Sequence, residues 1–432
     1  MDLDGKIDPK KEYLPIEMKK LGYQTAMIGK WHLKNEPSAF DYYCVLPGQG
    51  VYFDPIFMVR GTEPWPENTI QKTGHSTDVI TDLTLDWLKH RDKSKPFFLM
   101  NHFKAPHDLW EFAPRYKDYL KDTEIPEPAS MYYDQNHGSV ATRGKNDALI
   151  HDIGSSISHR NTIRNVGMKL GIDQNIPDPQ YASMAYQEYL KRYLRCVKGV
   201  DDNVKRILDY LQSEGILDNT IIIYTADQGI YLGEHDYYDK RWMYEESMRM
   251  PFLVRYPPLI KAGTRTDALI NNTDFAPTII DLAGGSTPDY MQGKSFKTIL
   301  EGQAEPSDWR TGTYYRYWMH MAHGHANPAH FGIRTKDYKL IFFYGIYYKE
   351  PPKVTGKPTR FSSRYSFQTP AGWEFYDLKN DSEEMDNRYG DPKYAQIISD
   401  LRLQLKEQRS KYNLGDEDNF KIQKIIDDNW DK

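Results

Sequence analysis

Apolar residues recur along this chain at two different periods, and the change of period divides it. Val79, Ile80, Leu83, Trp87 and Leu88 stand at helical spacing and predict a helix over 77–90, with Thr77 as its cap. Val204, Ile207, Leu208 and Leu211 repeat at i, i+3, i+4 and i+7, predicting a longer helix over 181–213 that Gly215 ends. Further helices are predicted over 9–21, closing near Gly22, and over 274–283. Between them lie short apolar runs: Tyr23 to Ile28, Phe97 to Phe103, Thr220 to Thr225 and Phe252 to Tyr256. Strands alternating with helices predict an α/β fold, a mostly parallel sheet between helices. Beyond residue 308 the runs shorten and cluster: Tyr314–Met319, Phe331–Arg334, Tyr338–Phe343 and Trp373–Leu378, then a charged amphipathic helix over 392–412. This predicts a small antiparallel sheet with one helix, and so two units, 1–307 and 308–432. Two stretches escape the pattern. Residues 35–75, rich in Pro, Gly and aromatics, read as an irregular excursion. Residues 108–180 read as a long insertion of loops over the site, because a loop of that length usually has a task.

The ends of the predicted strands carry the chemistry. The first runs into Gly29-Lys30-Trp31-His32, the second into Lys104-Ala105-Pro106-His107, and the third into Asp227-Gln228-Gly229, followed by His235, Lys240 and Arg241. Strand C-termini of a parallel sheet share one edge, where ligands of α/β proteins bind. A carboxylate beside an amide oxygen suits a hard cation such as Ca2+. Several cations with two or more imidazoles suit a tetrahedral ester anion, phosphate or sulfate, with an imidazole placed to protonate the leaving oxygen. Singly, each group also fits a plainer role: a solvated lysine, a structural histidine, a strand-to-turn junction.

Composition narrows the choice. The formal net charge of the 432 residues is −5, with no basic tail or stripe, which argues against a nucleic-acid partner. No apolar run reaches the length of a membrane span. The two cysteines, Cys44 and Cys196, make neither a disulfide framework nor a four-cysteine zinc site, and Cys196, mid-helix, reads as core. Residues 1–6 are polar and do not read as a signal peptide. The 33 tyrosines suit a carbohydrate site as well as a core.

The run Gly22-Tyr23-Gln24-Thr25-Ala26-Met27-Ile28-Gly29-Lys30-Trp31-His32 resembles a signature of the formylglycine-dependent sulfatases, of alkaline-phosphatase-like fold. Ala105-Pro106-His107, Asp227 through Tyr244-Glu245-Glu246-Ser247-Met248-Arg249-Met250-Pro251, and the C-terminal Gly332-Ile333-Arg334-Thr335, Tyr338-Lys339-Leu340 and Glu374-Phe375-Tyr376-Asp377-Leu378 match in order, so the resemblance covers nearly the whole chain. It implies a catalytic set of Lys30, His32, His107 and Lys240, with His107 the general acid for the departing sugar hydroxyl. It implies Lys104, Arg241 and His330 as substrate-binding residues, with Asp41–Pro66 and His320–His330 bordering the sugar. It implies Asp227 and Gln228 as two ligands of Ca2+, Gln standing where the family more often has Asn or His. The implied substrate is a sulfated carbohydrate of glycosaminoglycan type, and the run of motifs resembles most the N-acetylglucosamine-6-sulfatase type. Such proteins are commonly periplasmic, secreted or lysosomal.

The family nucleophile, a cysteine in Cys-x-Pro-Ser-Arg that becomes formylglycine, has no counterpart here. Cys44 precedes Val45-Leu46-Pro47 and Cys196 precedes Val197-Lys198-Gly199. The family's Asp-Asp pair of further metal ligands is also missing, since Asp201-Asp202 follow a helical stretch. The resemblance therefore implies a sulfatase lacking an N-terminal unit of about a hundred residues. Three readings stay open: a sulfate ester hydrolase, a catalytically incompetent relative that at most binds sulfated glycan, and a phosphate ester or phosphonate hydrolase of the same superfamily. Oligomeric state is not legible in the sequence.

Overall fold

The computed structural model describes residues 6–432 apart from 12, 62, 133–136, 161–164, 350–365, 413–415 and 417–418. The polar residues 1–5 lie outside this set. The chain enters through α1 (Tyr13–Lys20) into β1 (Gln24–Lys30), whose five interior residues are buried on both faces, as a central strand requires. β1 pairs in parallel with β2 (Tyr42–Leu46) on one side and β5 (Phe97–His102) on the other. β3 (Ile56–Val59) and β4 (Thr69–Gln71) extend the sheet beyond β2, both pairs antiparallel.

Three corrections follow. The stretch 35–75 is not irregular, since it holds β2, β3 and β4. The central sheet is mixed rather than mostly parallel: the connections after β2 and β3 are too short for a parallel crossover and return the chain antiparallel. The strand expected near 220, β6 (Ile222–Thr225), does not join this sheet either. It pairs antiparallel with β9 (Phe252–Arg255) as a separate ribbon, with Leu253 exposed at its surface.

Helix α2 (Ser76–His90) packs against α4 (Gln180–Ser213), and Asp78 accepts a bidentate pair from Arg115 and a bond from Asn203. The cap residue of α2 is His75 rather than Thr77, which lies inside the helix as a buried residue. Cys196 packs in the core of α4 with Tyr52, Trp110 and Tyr189. The insertion after residue 108 contributes α3 (Val166–Leu170), capped by the Asn165 side chain. Between β6 and β9 the chain makes the short strands β7 (Tyr231–Leu232) and β8 (Tyr238–Asp239) and the single turn α5 (Glu245–Met248). α6 (Phe275–Leu282) and α7 (Lys297–Leu300) follow.

The C-terminal sheet is antiparallel throughout, in the order β10 (Gly312–Tyr317), β11 (His330–Thr335), β12 (Tyr338–Phe343), β13 (Gly372–Asp377). Period-two alternation decides its two faces. Phe331, Ile333, Leu340 and Phe342 point to α8 (Ala395–Lys411) and to α9 (Phe420–Asn429), a helix the pattern did not predict. Ile341 and Phe343 point the other way, onto Tyr231, Trp242 and Tyr244. Lys339 shares that inner face and, fully buried, meets Glu245 of α5 at 2.9 Å and the buried Glu384 at 2.7 Å.

Glu246 lies beside this cluster. Burial, then the charge of Glu384, pushes its carboxyl from the ordinary 4.5 up to about 8. A carboxyl whose folded pKa is raised weakens the fold as pH climbs from its unfolded value to its folded value. Replacing Glu246 with Gln is therefore expected to raise the thermal midpoint relative to wild type by an amount that grows between pH 5 and pH 8. Melting curves of both proteins across that range check this, and a difference independent of pH would contradict it.

Candidate active site

The three strand ends meet. Lys30 closes β1, and Gly29 before it has φ +107, where a Cβ would also collide with the His102 carbonyl; only glycine lets β1 and β5 close up ahead of the lysine. The Lys30 ammonium is pushed down to about 8, first by burial and then by the charges of Lys240 and Lys104, with Asp227 and Asp108 acting in the opposite sense. Groups from β1, from the turns after β5 and β6, and from the turn after β8 thus share one electrostatic neighbourhood. His32 is exposed beside them, its imidazole held below its usual value by burial and by Lys30 and His107. His102, a residue the sequence pattern did not single out, is lowered by burial, feels Asp227, and contacts the Lys30 carbonyl through Nδ1 at 3.3 Å.

A narrow cavity is lined by His107, Asp108, Trp110, Tyr238, Asp239 and Lys240. Two of these carboxylates were missed in the sequence, though each adjoins a predicted site residue. Asp108 Oδ1 lies 2.7 Å from His107 Nδ1, and its other oxygen lies 3.5 Å from Lys169 of α3, which is how the insertion reaches the cavity. The hydrogen bond from His107 holds the Asp108 carboxyl well below the carboxylate range, against burial. Asp239 is enclosed, yet His325 at 3.0 Å and Arg241 beside it outweigh burial and hold it ionised. Lys104 is buried, and its Nζ stands 4.7 Å from the centre of the Tyr52 ring. The turn α5 ties two arms of the site together: Ser247 O accepts from the Gly229 amide at 2.9 Å and its Oγ from the Arg241 amide at 2.8 Å. The larger surface concavity, about 560 Å³ against Arg265, Asp267, Gln303 and Glu305, holds none of these groups.

His330 is not at the cavity. β11 parity turns it inward, fully buried among Trp242, Tyr315, Tyr317 and Phe343, with Nδ1 2.7 Å from the Pro328 carbonyl. Its expected contact with substrate is corrected on that ground. Within the histidine-rich stretch, His325 contacts the cavity wall through Asp239. Asp227 is exposed and Gln228 half-buried. Among the described residues no three His, Cys, Asp or Glu side chains gather as a metal site. One carboxylate and one amide fall short of the 6–8 oxygens that calcium takes, so the donors present do not make its shell. Burial pushes the thiols of Cys44 and Cys196 up to about 12, which removes both as nucleophiles.

Clustered ammonium groups facing a carboxylate-backed imidazole, at the strand ends of an α/β fold, define a protein that handles a tetrahedral oxyanion. The comparisons give the class its family. The Sulfatase family model matches residues 3–286, and a second, N-sulphoglucosamine sulphohydrolase, C-terminal, matches 233–350 and 358–411. The N-acetylglucosamine-6-O-sulfatase of Bacteroides thetaiotaomicron is 38% identical over 442 residues, covering 94% of this chain and 74% of that protein. The N-acetylglucosamine-6-sulfatase of Capra hircus is 29% identical over 72% of this chain, which spans about half (52%) of its length. Among solved structures, BT4656 in complex with its substrate D-glucosamine-2-N,6-O-disulfate superposes with a TM-score of 0.81 at 36% identity, over 96% of this chain and 85% of that one. A phosphonate monoester hydrolase from Silicibacter pomeroyi shares the fold, with a TM-score of 0.64 at 18% identity over 94% of this chain and 81% of its own. The chain belongs to the sulfatase family, sulfuric ester hydrolases of the alkaline-phosphatase-like superfamily.

The depressed Lys30 gives a pH test. Its ammonium is present below about 8 and lost above it. Affinity for inorganic sulfate, read by calorimetry, is expected to fall between pH 7 and 9 with its inflection near 8, by about tenfold as one charge-assisted contact is lost. Lys30→Ala is expected to remove that inflection, and a profile of the same shape in the variant would refute the assignment.

Proposed function

We propose that this protein acts on sulfate esters of glucosamine-type carbohydrate, with residues 1–307 forming the catalytic unit and 308–432 walling it from the C-terminal side. The observation that carries the reading is the cavity in which His107, backed by Asp108, lies alongside Lys240 while Lys30 and Lys104 stand in the same charge cluster. Lys30, Lys104 and Lys240 hold the sulfate oxygens and offset charge that develops on them. His107 donates a proton to the leaving sugar oxygen, and Asp108, 2.7 Å from its Nδ1, keeps the imidazole oriented. His32 stands next to Lys30 on the same edge, placed to assist release of sulfate. Asp239 and Arg241, mutually paired and braced by His325, offer an acceptor and a donor to hydroxyls of the sugar. The bacterial relative, an N-acetylglucosamine-6-O-sulfatase by name, and BT4656, solved with its substrate D-glucosamine-2-N,6-O-disulfate, support this choice of sugar.

Asp227 and Gln228 offer two oxygens toward a calcium ion. That is too few for its shell. The formylglycine of the family would arise from a Cys-x-Pro-Ser-Arg motif that these 432 residues do not contain. A second reading, a binder of sulfated glycan without turnover, rests on the same charge cluster, which would hold a sulfate group in either case.

One experiment separates the two. The protein is titrated with N-acetylglucosamine 6-sulfate, and released sulfate is followed by ion chromatography. Binding that Lys240→Ala weakens by about tenfold or more supports the site under either reading. With sulfate release, His107→Ala is expected to slow the sugar ester by about 10²–10⁴-fold and an activated aryl sulfate far less, because a good leaving group needs little protonation. Binding without release selects the second reading, and equal losses on both esters would overturn the role of His107.

A further inference from the structure

Tyr52 lies in the stretch between β2 and β3, where the sequence pattern placed only an irregular excursion. It is 1% exposed and packs with Ala105, Trp110, Tyr189 and Cys196. Its two ends do different things. The hydroxyl donates to the main-chain carbonyl of His107, and the face of its ring lies beneath the Lys104 ammonium, 4.7 Å from the ring centre. Its own main chain is tied down, since its carbonyl accepts from the Ser76 amide at the start of α2, 2.7 Å away. Lys104 and His107 are the first and last residues of one tight turn after β5, closed by the His107 amide on the Lys104 carbonyl at 3.0 Å. The turn is fixed from a second side by Trp110 Nε1, which donates to the Pro106 carbonyl at 3.1 Å.

We infer that Tyr52 is the positioning residue of this turn, setting the imidazole of His107 through its hydroxyl and the ammonium of Lys104 through its ring. The inference rests on the reading of His107 and Lys104 as site residues. A phenol suits both tasks. The hydroxyl offers a donor to the His107 carbonyl, and the ring offers the negative face of its quadrupole to the buried Lys104 cation. Burial keeps the phenol protonated far above neutral pH, so the donor does not switch off. The two tasks sit on separate atoms, which makes them separable.

The test uses the full chain with two substitutions. Tyr52→Phe removes the donor and keeps the ring; Tyr52→Leu removes both. Hydrogen exchange of the 104–109 backbone and the side-chain signals of 15N-labelled histidine read the His107 arm, with His107→Gln assigning its resonances. Affinity for inorganic sulfate at pH 7 reads the Lys104 arm. In Tyr52→Phe, exchange in 104–109 is expected to quicken about fivefold and the His107 signals to shift, while sulfate affinity stays within about twofold. In Tyr52→Leu the exchange effect is expected to recur with sulfate affinity lowered about two- to fivefold besides. A merely structural role would move both readouts together in both variants, and that pattern overturns the inference. So does a Tyr52→Phe protein whose 104–109 exchange and His107 signals match wild type, a result that decides the matter even where Tyr52→Leu does not fold. If the unsubstituted protein fails to bind sulfate, the functional reading falls while the exchange and histidine readouts still judge Tyr52.

Discussion

The constraint on which the site depends is electrostatic: Lys30, Lys104 and Lys240 share one charge cluster. Burial, and then the like charges of Lys240 and Lys104, push the Lys30 ammonium down to about 8. Under the proposed function, the negative oxygens of a bound sulfate group would relieve that repulsion. The surrounding groups moderate the repulsion without cancelling it. Asp108 and Asp239 stay ionised because His107 backs one and His325 and Arg241 brace the other. The ring of Tyr52 shields Lys104 without neutralising it.

Holding such a cluster requires a stiff frame, and the frame is assembled from distant parts of the chain. The parallel pairs β2–β1–β5 set the spacing of Lys30 against the 104–107 turn. The α5 turn, through Ser247, binds the arm after β6 to the arm after β8. The C-terminal sheet presses its inner face on Trp242 and Tyr244 and anchors α5 through the buried Lys339 between Glu245 and Glu384. The C-terminal sheet therefore supports α5 through packing and a buried ion cluster, and His325 reaches the cavity wall at Asp239.

Much of this was legible in the residues. Helical spacing placed α2, α4 and α6 to within a few residues, and clustered short apolar runs foretold the C-terminal antiparallel sheet, because amphipathic period follows directly from burying one face. The motif run Gly22 to His32 carried the family, and Lys30 closes β1 while Lys104 and His107 stand in the turn after β5, as their position after apolar runs implied. The misses have a common cause. Whether a strand pairs in parallel or antiparallel, and which face of β11 turns inward, depends on which neighbour it meets, so the mixed sheet, the β6–β9 ribbon and the burial of His330 were not legible.

What the sequence by itself determined about this protein is local: the amphipathic helices α2, α4 and α6 and the short C-terminal strands, which residue types stand at strand ends, and the family to which their order belongs. Tertiary structure alone decided the partners. Asp108 and Asp239 are ordinary acids in the sequence and become counter-charges only where His107, Lys169, His325 and Arg241 are folded against them. Tyr52, one tyrosine among 33, becomes distinctive only because its ring and hydroxyl fall on two ends of one turn. Coulomb interactions and hydrogen bonds act over a few ångströms through space, and the chain distances between these partners, 55 residues for Tyr52 and His107, leave no trace in any local pattern.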